Sequence, residues 1–175
     1  MVVQQFMEDK GEDMKKAFTM IELVFVIVIL GILSSVAISK MALTRDDALI
    51  TKGKSQVSSI RSAITLLRSK NMMSGKMSNG GYPSQLDALS GNTSSDGETL
   101  FDYDTNSSDN SKRLLDYPIY SKSKGGWRKV ANNSYTFNVI GVDVNFKYIP
   151  FTGVFDCNHS SSDAKIKELC KSLTE

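Results

Sequence analysis

From Phe18 to Ile38 the chain is almost entirely apolar, and the one ionisable residue inside that run is Glu22. As a helix the run would be about 31 Å long at about 1.5 Å per residue, matching a hydrocarbon core of about 30 Å. The segment therefore can span a membrane. A carboxylate at the middle of a bilayer costs on the order of 2.5 to 3.5 kcal/mol, so ionisable residues in spans usually have a partner or a task. Glu22 lies about one turn inside the boundary, where that cost is smaller. Lys15 and Lys16 before the run face Lys40 and Arg45 after it, which gives only a weak orientation by charge.

A secretory signal peptide would have an apolar region of about 7 to 15 residues and a small-x-small cleavage site, which Ser35-Val36-Ala37 would satisfy. The run is longer than that, contains a carboxylate, and is followed directly by more helical periodicity. A permanent signal anchor on a periplasmic domain has the same hydropathy. What separates these readings is the local sequence Lys15-Lys16-Ala17-Phe18-Thr19-Met20-Ile21-Glu22-Leu23, continuing through Val24 to Leu33.

That sequence closely resembles the processing site and N-terminal helix of type IV pilins and type II secretion pseudopilins. The resemblance implies cleavage by a membrane-embedded prepilin peptidase between Ala17 and Phe18, and methylation of the new amine. It also places Glu22 fifth in the mature chain. There the carboxylate would pair with the Phe18 amine of a neighbouring subunit and set register during assembly. Ala17 stands where the family usually has Gly and remains small. Ser39 stands where many pilins have Pro, so no missing backbone donor should break the helix at this point.

Residues 1–17 would be the leader. Met1 to Asp13 contains Glu8, Asp9, Glu12 and Asp13 against Lys10, which is poor targeting composition, and Met14 opens a short basic leader that could be the true start. Residues 18–38 would form the membrane-spanning, assembly half of a long helix and residues 39–70 its amphipathic distal half. Leu43, Ile50, Val57 and Ile64 recur every seven residues with Ile60 and Leu67 between them, the pattern of a helix laid on a core. Arg45, Asp46, Asp47, Lys52, Lys54, Arg61 and Arg68 would occupy the remaining surface, with Gly53 as a soft point.

Residues 71–175 would form the globular head. Up to Ser111 the chain is rich in Ser, Asn, Gly and Asp, a loop composition, interrupted by a short helix at Tyr82 to Leu89. Met72, Met73 and Met77 read as a soft hydrophobic seam. Alternating residues then predict strands at Tyr117–Tyr120, Trp127–Val130, Tyr135–Val139, Val142–Tyr148 and Val154–Phe155. The expected fold class is α+β and pilin-like, one long N-terminal helix with a small antiparallel β-sheet head.

Cys157 and Cys170 are the only cysteines. In a domain outside the cytoplasm two such residues suggest a disulfide, and the pilin resemblance points to a C-terminal disulfide loop; two free buried thiols are the alternative. With His159 they offer too few ligands for a metal site. Asp102-x-Asp104-x-Asn106 copies the opening of an EF-hand loop, but Ser107 replaces the turn Gly and Arg113 the closing Glu. The favoured reading is a solvated loop, with calcium left open and no other cofactor expected. No nucleophile and base pair, phosphate loop or zinc spacing is present, so the chain reads as a substrate of processing enzymes rather than an enzyme.

The resemblance implies a structural subunit of the bacterial inner membrane, single-pass, with its head in the periplasm. Its partners would be prepilin peptidase, other pilin-like subunits and an assembly platform with a cytoplasmic ATPase. The leading role is a type II secretion pseudopilus driving protein export. A minor pilin or competence pseudopilin for DNA uptake is the alternative, and a signal-anchored periplasmic binding module is the alternative of another class. A net charge of +2 gives no argument for direct nucleic-acid binding.

Overall fold

The computed structural model describes residues 18–89, 91–102, 114, 115 and 117–175. Its elements in chain order are α1 (Met20–Met73), a 3-10 turn (Ser78–Gly81), β1 (Thr99–Leu100), β2 (Ile119–Tyr120), β3 (Trp127–Ala131), β4 (Ser134–Val139), β5 (Val142–Ile149), β6 (Val154–Cys157) and α2 (Ala164–Thr174). The chain divides into two compact units with a boundary between Ala42 and Leu43. This is the expected α+β class: a long apolar N-terminal helix and an antiparallel sheet.

In the first unit, Met20–Ile38 is long and apolar enough to cross a membrane, and none of it is buried by other parts of the protein. Apolar side chains point outward on every side, from Ile21, Leu23 and Val24 through Ile32 and Leu33 to Val36 and Ile38. A helix apolar all round needs a nonaqueous environment or partner helices. The Ser34 hydroxyl donates to the Leu30 carbonyl at 2.7 Å, so its polar group is satisfied within the helix.

The second unit is built on the distal part of α1. Val57, Ile60, Ile64 and Leu67 are buried and Ile50 packs against the core they form, as the seven-residue spacing predicts. Gly53 is not a soft point: the helix runs through it, and a Cβ there would lie 2.6 Å from Leu173 Cδ2 and against the Phe137 ring. The position is glycine because sheet and helix approach too closely for a side chain. Arg61, expected on the open surface, is instead half-buried. Its guanidinium donates to the Phe155 carbonyl at 3.0 Å, the Thr174 carbonyl at 3.4 Å and Asp156 Oδ1 at 2.9 Å, joining α1 to β6 and to the last turn of α2.

β3, β4, β5 and β6 form an antiparallel meander in sequence order, and β1 and β2 pair separately. Alternation aims Trp127, Tyr135, Phe137, Phe146 and Phe155 inward, where they form an aromatic core with Phe101. The β4–β5 connection is a two-residue turn with positive φ at both Ile140 (54°) and Gly141 (74°), the backbone that matches strand twist in tight hairpins. Residues 82–89 form no helix, contrary to expectation. Tertiary bonds instead tie them to the sheet: the Pro83 carbonyl accepts from Tyr148 Oη at 2.7 Å, and Asp87 is tied to β3 and β4.

Helix α2 was not foreseen from sequence. Asp163 caps it, its carboxylate accepting from the Lys165 and Ile166 amides at 2.9 and 3.3 Å, and Leu169, Cys170 and Leu173 form its buried face.

Candidate functional site

The predicted processing and assembly residues gather at the start of α1. Ala17 lies outside the described residues. Phe18 is 79% exposed, and the helix begins two residues later. Thr19 acts as the N-cap: its hydroxyl oxygen accepts from the Glu22 amide at 3.3 Å, and its carbonyl accepts from the Leu23 amide at 3.2 Å. The Thr19-x-x-Glu22 spacing is that of a capping box, in which the third helical residue carries a carboxylate. Glu22 is thus the acidic residue of the first turn, where unpaired amides and the helix dipole favour a negative charge. It is exposed, and no ion pair involves it among the described residues. Glu22 is therefore an exposed carboxylate in the first turn of an apolar helix.

In the second unit, Cys157 of β6 and Cys170 of α2 are joined in a disulfide with a Cα–Cα distance of 5.9 Å. Beside it, His159 Nε2 lies 3.2 Å from Asp156 Oδ1, the oxygen that also accepts from Arg61 and from the Cys157 amide.

Sequence reasoning missed the most buried polar cluster. Lys129 is 1% exposed, and its Nζ donates to Asp87 Oδ1 at 2.7 Å and to the Leu89 carbonyl at 3.2 Å. Tyr135 Oη donates to Asp87 Oδ2, and the Leu89 amide donates to Oδ1 at 3.0 Å. Burial and the neighbouring Asp87 carboxylate push the Tyr135 hydroxyl well above the usual tyrosine range. The readable signal was parity: Lys129 is two residues from Trp127 on the same strand and so faces the core.

Of the acidic loop, only Asp102 belongs to the described residues; Asp104, Asn106, Ser107 and Arg113 lie outside them. Asp102 is buried rather than solvated, and its Oδ1 has no hydrogen-bond partner among the described residues.

Residues 13–38 match the family model of the prokaryotic N-terminal methylation motif. No curated protein and no solved structure shows a significant match to the chain. The matched stretch covers Phe18, the Thr19 cap, Glu22 and the whole apolar span, so the residues that the structure sets at the start of α1 are those of the motif. Over residues 13–38 the chain therefore carries the N-terminal methylation motif found in type IV pilins and pseudopilins, which supports processing by prepilin peptidase.

Proposed function

We propose that this protein is a structural subunit of a type II secretion pseudopilus. It is cut between Ala17 and Phe18, methylated on the new amine, and drawn from the inner membrane into a short periplasmic filament. Residues 1–17 are the leader, 18–38 the membrane and assembly half of the helix, 39–70 its distal half, and 71–175 the periplasmic head. Glu22 pairs with the Phe18 amine of a neighbouring subunit, a cation that exists only after cleavage.

The observation that carries this reading is the match of residues 13–38 together with a first helical turn that displays Glu22 beside exposed Phe18. A disulfide in the head supports the extracytoplasmic location, since such bonds persist in oxidising compartments. An inner-membrane platform and a cytoplasmic ATPase supply the work of extraction.

The decisive experiment is the N-terminal sequence and mass of the membrane-extracted protein, with and without a functional prepilin peptidase. The expected product starts at Phe18 and is about 14 Da heavier than the unmodified chain, only when the peptidase is present. An intact leader in both strains means a signal-anchored domain, and a start at Ile38 means ordinary secretion. Export measured after deletion of the gene then separates secretion from DNA uptake.

A further inference from the structure

Ile140 occupies a position that its residue type should avoid. The β4–β5 hairpin turns through Ile140 and Gly141, both in the left-handed region at φ 54° and 74°. A two-residue turn of that kind favours Asn-Gly, and a β-branched side chain at positive φ is a genuine outlier. Burial does not offset the cost. Val139 and Val142 on either side of the turn join or pack on the core, whereas Ile140 stays outside it and is 42% exposed. Backbone strain of this sort gathers where a surface has a task, and here the strained position presents an aliphatic group outward.

Basic groups surround it. Arg45 of α1 and Lys124 of the β2–β3 connection line the same surface depression as Ile140, with Asp46 the acidic residue among the lining groups. Lys52 and Lys122 line an adjoining depression that shares Gly125. All four cationic side chains are exposed. Two nearby carboxylates are already engaged: Asp96 accepts from the Ser123 amide and hydroxyl at 2.8 and 2.9 Å, and Asp143 from Arg128 at 3.3 Å and Asn138 at 2.7 Å. The parts are fixed to one another. The Gly125 amide donates to Asn138 Oδ1 at 3.2 Å, the Asn138 amide donates to the Gly126 carbonyl at 2.9 Å, and a Cβ at Gly125 would lie 3.3 Å from Leu49 Cδ2 of α1.

Chain length says what such a surface can meet. Arg45 follows Ile38, the last residue of the apolar span, by seven positions, and seven residues reach at most about 25 Å even fully extended. With the span in a bilayer, lipid headgroups are therefore always close to this end of the head. We propose that the hairpin tip docks on that bilayer, Ile140 entering the interfacial zone while Arg45 and Lys124 meet the phosphates of anionic phospholipids. An aliphatic tip ringed by long basic side chains suits that boundary, since the stems of Lys and Arg lie along apolar surface while their charges stay at the headgroups. Attraction to an anionic surface falls off within a Debye length, about 10 Å at 0.1 M salt, so the contact needs the tether that the span provides. The inference rests on residues 18–38 spanning the membrane.

The test uses the full chain in vesicles of phosphatidylcholine with or without phosphatidylglycerol, carrying one nitroxide at a time through Ile140→Cys, Asn145→Cys on the exposed face of β5, or Ile29→Cys in the span. Collisions with oxygen and with a water-soluble nickel chelate report lipid and water. In anionic vesicles the label at position 140 should favour oxygen and lose contact with the chelate, while that at 145 stays aqueous. The shielding should be lost in phosphatidylcholine alone and in the Arg45→Gln/Lys124→Gln background. If the label at 29 is in lipid and that at 140 is as aqueous as that at 145, the docking is overturned and the span stands. If the label at 29 is itself aqueous, the membrane reading fails and this inference with it. Shielding at 140 that is equal in both vesicles, with spin–spin broadening, means burial against a second copy and also overturns the proposal. Separately, Ile140→Asn suits the turn and should melt about 3 °C or more above the parent chain in detergent; a lower melting temperature would make Ile140 a packing residue and sink the idea.

Discussion

Lys129→Met removes a buried ammonium while keeping most of the volume of its stem, and leaves the Asp87 carboxylate without its counter-charge. Breaking a buried ion pair from one side costs about 3 to 5 kcal/mol. Asp87 retains the Tyr135 hydroxyl and the Leu89 amide as donors, so the lower end applies, about 3 kcal/mol. For a unit of this size each kcal/mol moves the melting temperature by about 3 to 5 °C, which gives a fall of about 10 °C. Trp127 is the only tryptophan and is 1% exposed in the core, so its fluorescence during urea or thermal unfolding of the solubilised chain follows the head. Lys129→Met/Asp87→Asn should recover at least about 1 kcal/mol of the loss, because a neutral amide can still bond Tyr135 and Leu89 without a stranded charge. The reasoning is refuted if Lys129→Met melts within about 3 °C of the parent chain, or if the double variant is less stable than the single one.

Glu22→Gln should leave membrane insertion and cleavage intact but abolish assembly into filaments, read by shearing or periplasmic cross-linking; normal assembly would remove the ion-pair role. Cys157→Ser/Cys170→Ser closes no loop in the unfolded chain and should cost about 3 kcal/mol, measured by denaturant unfolding against the oxidised parent. Gly53→Ala gains about 1 kcal/mol of helix propensity but forces a methyl into Phe137 and Leu173, for a net loss of about 1 to 2 kcal/mol in the same assay. Tyr135 keeps its proton in the folded head at a pH where the unfolded chain, with an ordinary tyrosine value near 10, loses it. Stability should therefore fall as pH rises through about 10 and beyond, and Tyr135→Phe should flatten that limb.

What was legible in the sequence was whatever repeats locally. The Val57, Ile60, Ile64 and Leu67 seam follows the helical period, and the strands carrying Trp127, Phe137, Phe146 and Phe155 follow the alternation of a half-buried sheet. The stretch from Ala17 to Glu22 was readable because its chemistry is contiguous in the chain. Tertiary contact decided the rest. Helix propensity marks Gly53 as weak, while the approach of Phe137 explains why it is there. Pro83 and Leu86 suggest a helix, but bonds from Tyr148, Lys129 and Tyr135 tie their segment to the sheet in an irregular conformation. Lys129 shows its inward parity, yet its partner lies 42 residues away in a stretch with no regular period. Helix α2 did have a signal, an Asp163 cap followed by Ile166, Leu169 and Leu173, but it is short and follows a turn-rich stretch. Asp156 and His159 are near Cys157 simply by sequence, whereas the approach of Cys170 depends on β6 and α2 converging, which no local pattern encodes.

The aliphatic surface of Met20–Ile38 has a thermodynamic consequence for any subunit that leaves the bilayer. Hydrocarbon tails and leucine-like side chains are nearly equivalent solvents for such a cylinder, so exchanging lipid neighbours for other helices changes its hydrophobic free energy very little. The transfer is close to an isoenergetic solvent swap. In the assembly proposed above its direction would be set by dispersion packing between side chains, by the proposed pairing at Glu22, and by whatever work is applied from outside. In the proposed filament, subunits would be able to return to lipid without exposing an apolar surface to water.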